Sequence, residues 1–238
     1  MRIGLTYTGF DEKHDNYVRW LKQQDNIEVV TISADDENKP DIKNFDAIVL
    51  SGGVDIYPEF YDNKNIDYPH APEDFHEARD IFEADVFRKS QENNLPVLCV
   101  CRGMQLVNCI LGGDLVQDLG ELNKIHKFEN QDKAHGVIIE PDTLLNEITG
   151  VTRSVANSAH HQVINKLGNG LMVNSRSDEG IAEGIEWKEK TSKPFFLGIQ
   201  WHPERMFKFH LQDAPLSKNI RDRFIEEIKK SKLQQVRV

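Results

Sequence analysis

Between residues 2 and 113, short apolar runs alternate with segments of helical spacing, and this alternation restricts the fold more than any other feature of the chain. RIGLTY (2–7), IEVVTI (27–32), DAIVLSGG (46–53) and LPVLCV (95–100) read as strands, β-branched and apolar on both faces. Between and after them, YVRWLKQQ (17–24), a stretch over 73–93 with Phe75, Ala78, Phe82 and Val86 on one stripe, and RGMQLVNCILGG (102–113) read as helices. Such strands, separated by helices, imply an α/β fold: a mostly parallel central sheet with helices on both faces. The second half is richer in strands: HGVIIE (135–140), LMVNSRS (171–177), IAEGIEW (181–187) and FFLGIQW (195–201). A closing helix is expected over 216–232. With no internal repeat and no long linker, one domain over 1–238 is the expectation.

Composition narrows the classes. The net charge is −10 and no lysine or arginine cluster stands out, so nucleic acid is not an expected partner. No apolar run approaches the roughly 20 residues that cross a bilayer, so no membrane role is expected. The N-terminus reads as a strand and not as a signal peptide. Three cysteines, Cys99, Cys101 and Cys109, fall within eleven residues, an odd number and unlike a spread disulfide framework. A reduced, cytoplasmic setting is the expectation, and the oligomeric state, a homo-oligomer included, stays open.

Three places carry chemistry. Cys101 sits where a strand turns into a helix, two residues before Gly103. A nucleophile on such a turn projects from the carboxyl edge of the sheet, with a helix N-terminus aimed at its sulfur. A buried packing cysteine is the competing reading, and it fits Cys109 inside the apolar helix. A redox or metal role for Cys99 and Cys101 lacks the usual Cys-x-x-Cys spacing. His202 and Glu204, two apart at the end of a predicted strand, share a face if the chain is extended there. Pro203 favours that geometry, and a carboxylate beside an imidazole gives a cysteine its base. A solvated turn is the alternative. Ser51-Gly52-Gly53 follows another strand at the same edge, where bare N–H groups suit an oxyanion, with the N–H of Arg102 as second donor. Gln105 lies one helical turn past Cys101, and NSAHHQ (157–162) reads as a loop in which at most one of two adjacent histidines faces a given site.

Taken together, LSGGVDIYP (50–58), ARDIFE (78–83), LPVLCVCRGMQLVN (95–108), LGGDLVQDL (111–119), NSAHHQ (157–162) and GIQWHPE (198–204) resemble the class I glutamine amidotransferase-like family. The likeness is strongest to its γ-glutamyl-γ-aminobutyrate hydrolase branch and covers roughly residues 45 to 205. It implies the flavodoxin-like sandwich of that family and a Cys101-His202-Glu204 triad. It also implies an oxyanion hole at Gly53 and Arg102, and substrate contacts from Gln105, His161 and Gln162. The implied reaction splits a small γ-glutamyl amide to glutamate and an amine through a γ-glutamyl thioester, with no metal and no organic cofactor. A glutaminase subunit feeding a separate synthase, or a non-catalytic binding relative, remain alternatives. Tyr57, Tyr61, Tyr68, His70 and His126 are candidate contacts to the leaving amine. One departure is Cys99, where the family carries glycine; oxidative pairing of Cys99 with Cys101 is the consequence to check.

Overall fold

The computed structural model describes residues 1–23, 26–37, 39–128 and 131–235. In chain order it contains β1 (Arg2–Thr6), α1 (Asp11–Lys22), β2 (Glu28–Ile32), β3 (Ala47–Leu50), α2 (Glu77–Glu92), β4 (Val97–Val100) and α3 (Arg102–Ile110). There follow β5 (Leu115–Val116), α4 (Asn123–His126), β6 (Lys127–Phe128), β7 (Gln131–Ile139), α5 (Leu144–Thr149) and β8 (Arg153–Ser158). The chain continues through β9 (Val163–Ile164), β10 (Leu171–Ser177), β11 (Ala182–Trp187), β12 (Phe196–Ile199) and α6 (Lys218–Gln235). Gln24, the last residue of the expected first helix, lies outside the described residues.

One sheet runs in the order β2-β1-β3-β4-β12-β11-β10-β7-β6, with β8 paired to β7. From β2 to β12 every pairing is parallel; from β12 through β11, β10 and β7 to β8 every pairing is antiparallel. This is the α/β class I glutamine amidotransferase fold. Alternation along the parallel strands splits the interior in two. Ile3, Leu5, Ala47, Val49, Leu98, Val100, Leu197 and Ile199 meet Trp20 and Leu21 of α1 and Ile220, Phe224 and Ile228 of α6. The other face, with Ile48, Leu50, Val97, Cys99 and Phe196, meets Val86 and Phe87 of α2 and Met104 and Val107 of α3. The strands are buried on both faces, which is why they read as unbroken apolar runs.

The second expected helix is shorter than its pattern. It begins at Glu77, after Phe75, and Ala78 faces solvent. Its buried face carries Asp80, Glu83, Ala84, Val86, Phe87 and Ser90. Two carboxylates on that face hid the stripe from a hydrophobicity reading. The closing helix is shifted to Lys218–Gln235. HGVIIE proves to be the second half of β7, and Asn157 and Ser158 of the expected loop belong to β8.

Helix α3 lies against β3 so closely that a Cβ at Gly103 would stand 2.4 Å from the Leu50 carbonyl oxygen and 2.8 Å from its carbon. Both are backbone atoms and cannot turn aside. Gly103→Ala is therefore expected to lift α3 from the sheet at a cost of about 1–3 kcal/mol. That is a fall in Tm of roughly 2–12 °C for a chain of this size, read by thermal unfolding.

Candidate active site

Cys101 stands at the carboxyl end of β4, with its N–H donated to the Ile199 carbonyl at 2.7 Å and its own carbonyl accepting from Gln105 N at 3.1 Å. Its backbone has φ 52° and ψ −110°, a sparsely populated conformation for any residue with a side chain. This reversal ends the strand one residue early and throws the sulfur to the side opposite Cys99. Cys99 is fully buried in the α2/α3 core, whereas Cys101 joins the α1/α6 core. Burial pushes the Cys99 thiol well above its ordinary range. Oxidative pairing of Cys99 with Cys101 is therefore disfavoured, because the turn directs the two side chains into different cores. As the first residue of α3, Arg102 has no intrahelical acceptor for its N–H.

Because β12 runs parallel to β4, its following residues emerge beside Cys101. His202 Nδ1 lies 2.8 Å from Glu204 Oε1, and both residues are buried. The pairing does not arise from an extended chain, as the sequence suggested. The strand stops at Ile199, His202 precedes a 3₁₀ turn over Pro203–Phe209, and the turn folds Glu204 back to the ring. Burial and the nearby Arg205 oppose a charge on His202. Glu204 and the Cys101 sulfur outweigh them and raise its pKa from 6.5 to about 9. Since the folded value lies above the ordinary one, this charge pairing stabilises the fold fully below pH ~6.5 and the contribution vanishes as pH rises through ~9.

Gly52 lies between these groups: a Cβ there would meet His202 Cε1 at 2.9 Å, Tyr17 Oη at 3.2 Å and Cys101 Cβ at 3.6 Å. The Gly52 N–H donates to Tyr17 Oη at 3.0 Å. Arg79 fixes the same strip from below, donating through Nη2 to the Gly52 carbonyl at 3.0 Å and to Ser51 Oγ at 3.1 Å. Its Nε donates to Glu83 Oε1 at 2.8 Å. Glu83 and Asp80 together grip the fully buried Arg102 guanidinium, and Asp80 Oδ2 accepts the Tyr57 N–H at 2.9 Å. The network carries the strand-to-helix turn and the glycine strip as one body. Arg79, Asp80 and Glu83 were visible in the sequence only as part of ARDIFE.

Above Cys101 opens a cavity of about 400 Å³ lined by Lys13, Tyr17, Gly52, Gly53, Lys127, Asp132, His202, Glu204 and Arg205, among others. Three cations and two carboxylates meet there. Arg205 lies 3.3 Å from Asp132 and 3.6 Å from Glu204, Lys13 Nζ stands 4.6 Å from the centre of the Phe10 ring, and Lys127 lines the same cavity. Burial, then Arg205 and Lys127, lower the pKa of Lys13. Sequence reading missed Tyr17, Lys13, Lys127 and Arg205, because nothing in their spacing links them to residue 101.

Cys101, His202, Glu204 and Gly53 thus come together at one cavity, with the first residue of α3 beneath them. Gln105, His161 and Gln162 do not line it. Gln105 Nε2 donates to the Gln162 carbonyl at 2.9 Å and to Gln200 Oε1 at 3.2 Å, and Gln200 Nε2 points to Cys101 Sγ at 3.4 Å. His161 Nε2 lies 3.1 Å from Asp55 Oδ2, and Gln162 Nε2 donates to Tyr68 Oη at 3.1 Å. Their side chains are engaged with the protein itself, so they sit as supports behind the sulfur and not as its walls. Tyr61, Tyr68 and His126 are likewise buried, whereas His70 is exposed and pairs with Asp118.

A family model described as Peptidase C26 matches residues 9–204. The chain belongs to the Peptidase C26 family. This is a glutamine amidotransferase-like hydrolase family, whose name points to hydrolysis at amide bonds. Protein NtpR of Enterococcus hirae is 35% identical over 231 residues, spanning 94% of this chain and 90% of that relative. The γ-glutamyl-γ-aminobutyrate hydrolase PuuD of Escherichia coli is 27% identical over 174 residues, 68% of this chain and 65% of that one. Among solved structures, the glutaminase domain of Trypanosoma brucei CTPS with bound acivicin superposes with a TM-score of 0.63 at 15% identity, covering 97% of this chain and 94% of that one. At that identity the likeness speaks to the fold. No helix among the described residues is long and apolar enough to cross a membrane.

Proposed function

We propose that this member of the family hydrolyses a small γ-glutamyl amide, such as γ-glutamyl-γ-aminobutyrate, to glutamate and a free amine, with Cys101, His202 and Glu204 as its catalytic triad. The observation that carries the reading is the Cys101 sulfur beside a buried His202–Glu204 pair, at the foot of a cavity lined in part by Lys13 and Lys127. A glutamyl group brings an α-carboxylate, and these lysines supply the charge to hold it. PuuD, at 27% identity, bears the name of this activity.

In this mechanism the Cys101 thiolate attacks the γ-carbonyl carbon and the carbonyl electrons move to oxygen. The N–H groups of Gly53 and Arg102 hold the oxyanion; one such donor is worth about 3 kcal/mol in other enzymes. Protonated His202 gives its proton to the departing amine nitrogen as the C–N bond breaks, leaving a γ-glutamyl thioester. The now neutral ring takes a proton from water, whose oxygen attacks the thioester, and the C–S bond breaks to release glutamate. Glu204 holds the ring oriented throughout. No metal or organic cofactor takes part in these steps.

Because the amine leaves with a proton from His202, turnover should decline as pH passes ~9, where that proton is lost. A pH–rate profile of kcat checks this; activity still rising well above pH 9 would contradict it. The reaction itself is tested by incubating the purified chain, without partners, with a panel of γ-glutamyl amides and following glutamate release. Release from at least one amide supports the reading. No release from any, with ammonia formation from glutamine only in the presence of a synthase, would replace it with a partner-dependent glutaminase.

A further inference from the structure

Behind the cavity wall lies a second constellation that the hydrolytic chemistry does not use. His126, His135, His160 and Glu183 are all buried, from α4, β7, the turn after β8 and β11, and one nitrogen or oxygen from each lies within 4.8 Å of those of the other three. Glu183 Oε1 is 3.5 Å from His160 Nε2, 3.6 Å from His126 Nδ1 and 3.7 Å from His135 Nε2.

Proton bookkeeping makes this arrangement hard to explain by hydrogen bonds. His135 Nδ1 lies 2.9 Å from the Gly136 carbonyl and His160 Nδ1 lies 3.1 Å from the Gln162 carbonyl. A carbonyl only accepts, so each Nδ1 carries the hydrogen and each Nε2 of a neutral ring presents a bare lone pair. Both lone pairs point at a carboxylate oxygen, itself an acceptor. Neither Nε2, nor either oxygen of Glu183, has a hydrogen-bond partner among the described residues, and all four atoms are shielded from bulk solvent. His126 Nδ1 also lies 3.3 Å from Ser158 Oγ, but a proton on Glu183 could serve only one of the two bare Nε2 atoms of His135 and His160, at separations well beyond an O–H···N bond.

We propose that His126, His135, His160 and Glu183 bind one divalent transition-metal ion of the zinc class. A tetrahedral ion with bonds of about 2.0–2.1 Å to nitrogen and oxygen sets its ligands about 3.4 Å apart, which the three separations from Oε1 approach. The three-imidazole, one-carboxylate set suits zinc. The outer contacts are those of such a site: two backbone carbonyls on Nδ1, and Glu179 Oε2 3.7 Å from the remaining His126 nitrogen. Four protein ligands close the coordination sphere, so the ion holds structure and takes no substrate. What it would hold is the far wall of the Cys101 cavity. Lys127 follows His126, Ala159 precedes His160, Asp132 lies on β7, and Asn157 Oδ1 accepts the His202 N–H at 3.1 Å.

The inference is independent of the hydrolase reading and is tested without an activity assay. Cys101→Ala chain, free of any affinity tag and stripped with a chelator, is dialysed against micromolar zinc and its metal content measured; removing Cys101 removes thiolate binding at the cavity. One equivalent per chain, with a Tm that rises with zinc concentration, is expected. Glu183→Gln and His135→Ala variants should lose the equivalent and the Tm response. Cobalt loaded into the Cys101→Ala chain should give tetrahedral ligand-field bands without sulfur charge transfer, a readout that needs no ligand variant to fold. No zinc uptake, or uptake untouched by the ligand variants, would overturn the proposal.

Discussion

Cys101→Ala is expected to reduce γ-glutamyl hydrolysis by about 10⁴-fold or more, the scale on which loss of a catalytic nucleophile acts in other triad enzymes. The substitution removes the only protein atom that bonds to the carbonyl carbon in the scheme, and no neighbouring side chain can replace it. Gln200 Nε2, 3.4 Å from the sulfur, is an amide and not a nucleophile. The fold should survive. Cys101 is 8% exposed at the rim of a core, and alanine keeps the Cβ that the turn already tolerates. Circular dichroism and an unfolding curve would establish this, while glutamate release would measure the loss. Near-parental turnover in a folded variant would remove Cys101 from the mechanism. Cys101→Gly offers a companion result: glycine accepts the φ 52°, ψ −110° backbone without strain, which offsets the lost packing and the added chain entropy, so stability should change by less than about 1 kcal/mol while the same activity is lost.

Arg102→Leu should give the largest stability effect of any substitution considered. Its guanidinium is 2% exposed and holds two carboxylates, Asp80 and Glu83, that are fully buried. Burial works against a charge on Glu83, but Arg102 and Arg79 outweigh it and lower its pKa; on Asp80 burial prevails and the pKa is raised. Leucine would leave this pair of acids with Arg79 alone, and breaking a buried ion pair from one side costs about 3–5 kcal/mol. That corresponds to a fall in Tm of roughly 6–20 °C. Combining Arg102→Leu with Asp80→Asn should recover much of it, because Arg79 and Glu83 then remain as a balanced pair. A single variant within about 1 kcal/mol of the parent would show that the network does not support the turn. The backbone N–H at position 102 is kept in every variant, so any activity left reports on the turn's geometry and not on a deleted donor.

Legibility in the sequence followed locality. The parallel half of the sheet was legible because each strand is apolar on both sides and followed by its own helix. Cys101 was legible because a cysteine between a buried strand and a glycine-bearing helix has few other uses. His202 came with it once β12 was read as a strand, although Glu204 reaches the ring through a 3₁₀ turn and not an extended chain. Helix α2 was misjudged at Ala78 because its inward face is partly ionic, and an apolar stripe is blind to Asp80 and Glu83. Lys13, Tyr17 and Lys127 were silent for a different reason: each reaches the cavity from an element whose placement depends on the whole sheet. The four residues around Glu183 are spaced 9, 25 and 23 positions apart, with no short motif between them, and only the pairing of β7 with β8 and the fold of β11 makes them neighbours.

The position of β12 has a consequence for how the chain acquires its activity. β4 finds β3 early, since the two are neighbours in sequence, but its other flank stays open until β12 arrives, and Gln200 is 99 residues beyond Cys101. Such long-range pairings are slow to form. A growing chain therefore carries its thiol through a further 101 residues of synthesis before His202 is made. On the proposed mechanism, competence waits for β12, which carries His202 and Glu204 to the edge beside β4. On that mechanism, a chain truncated between residues 101 and 204 carries the nucleophile without a complete base and is expected to be inactive.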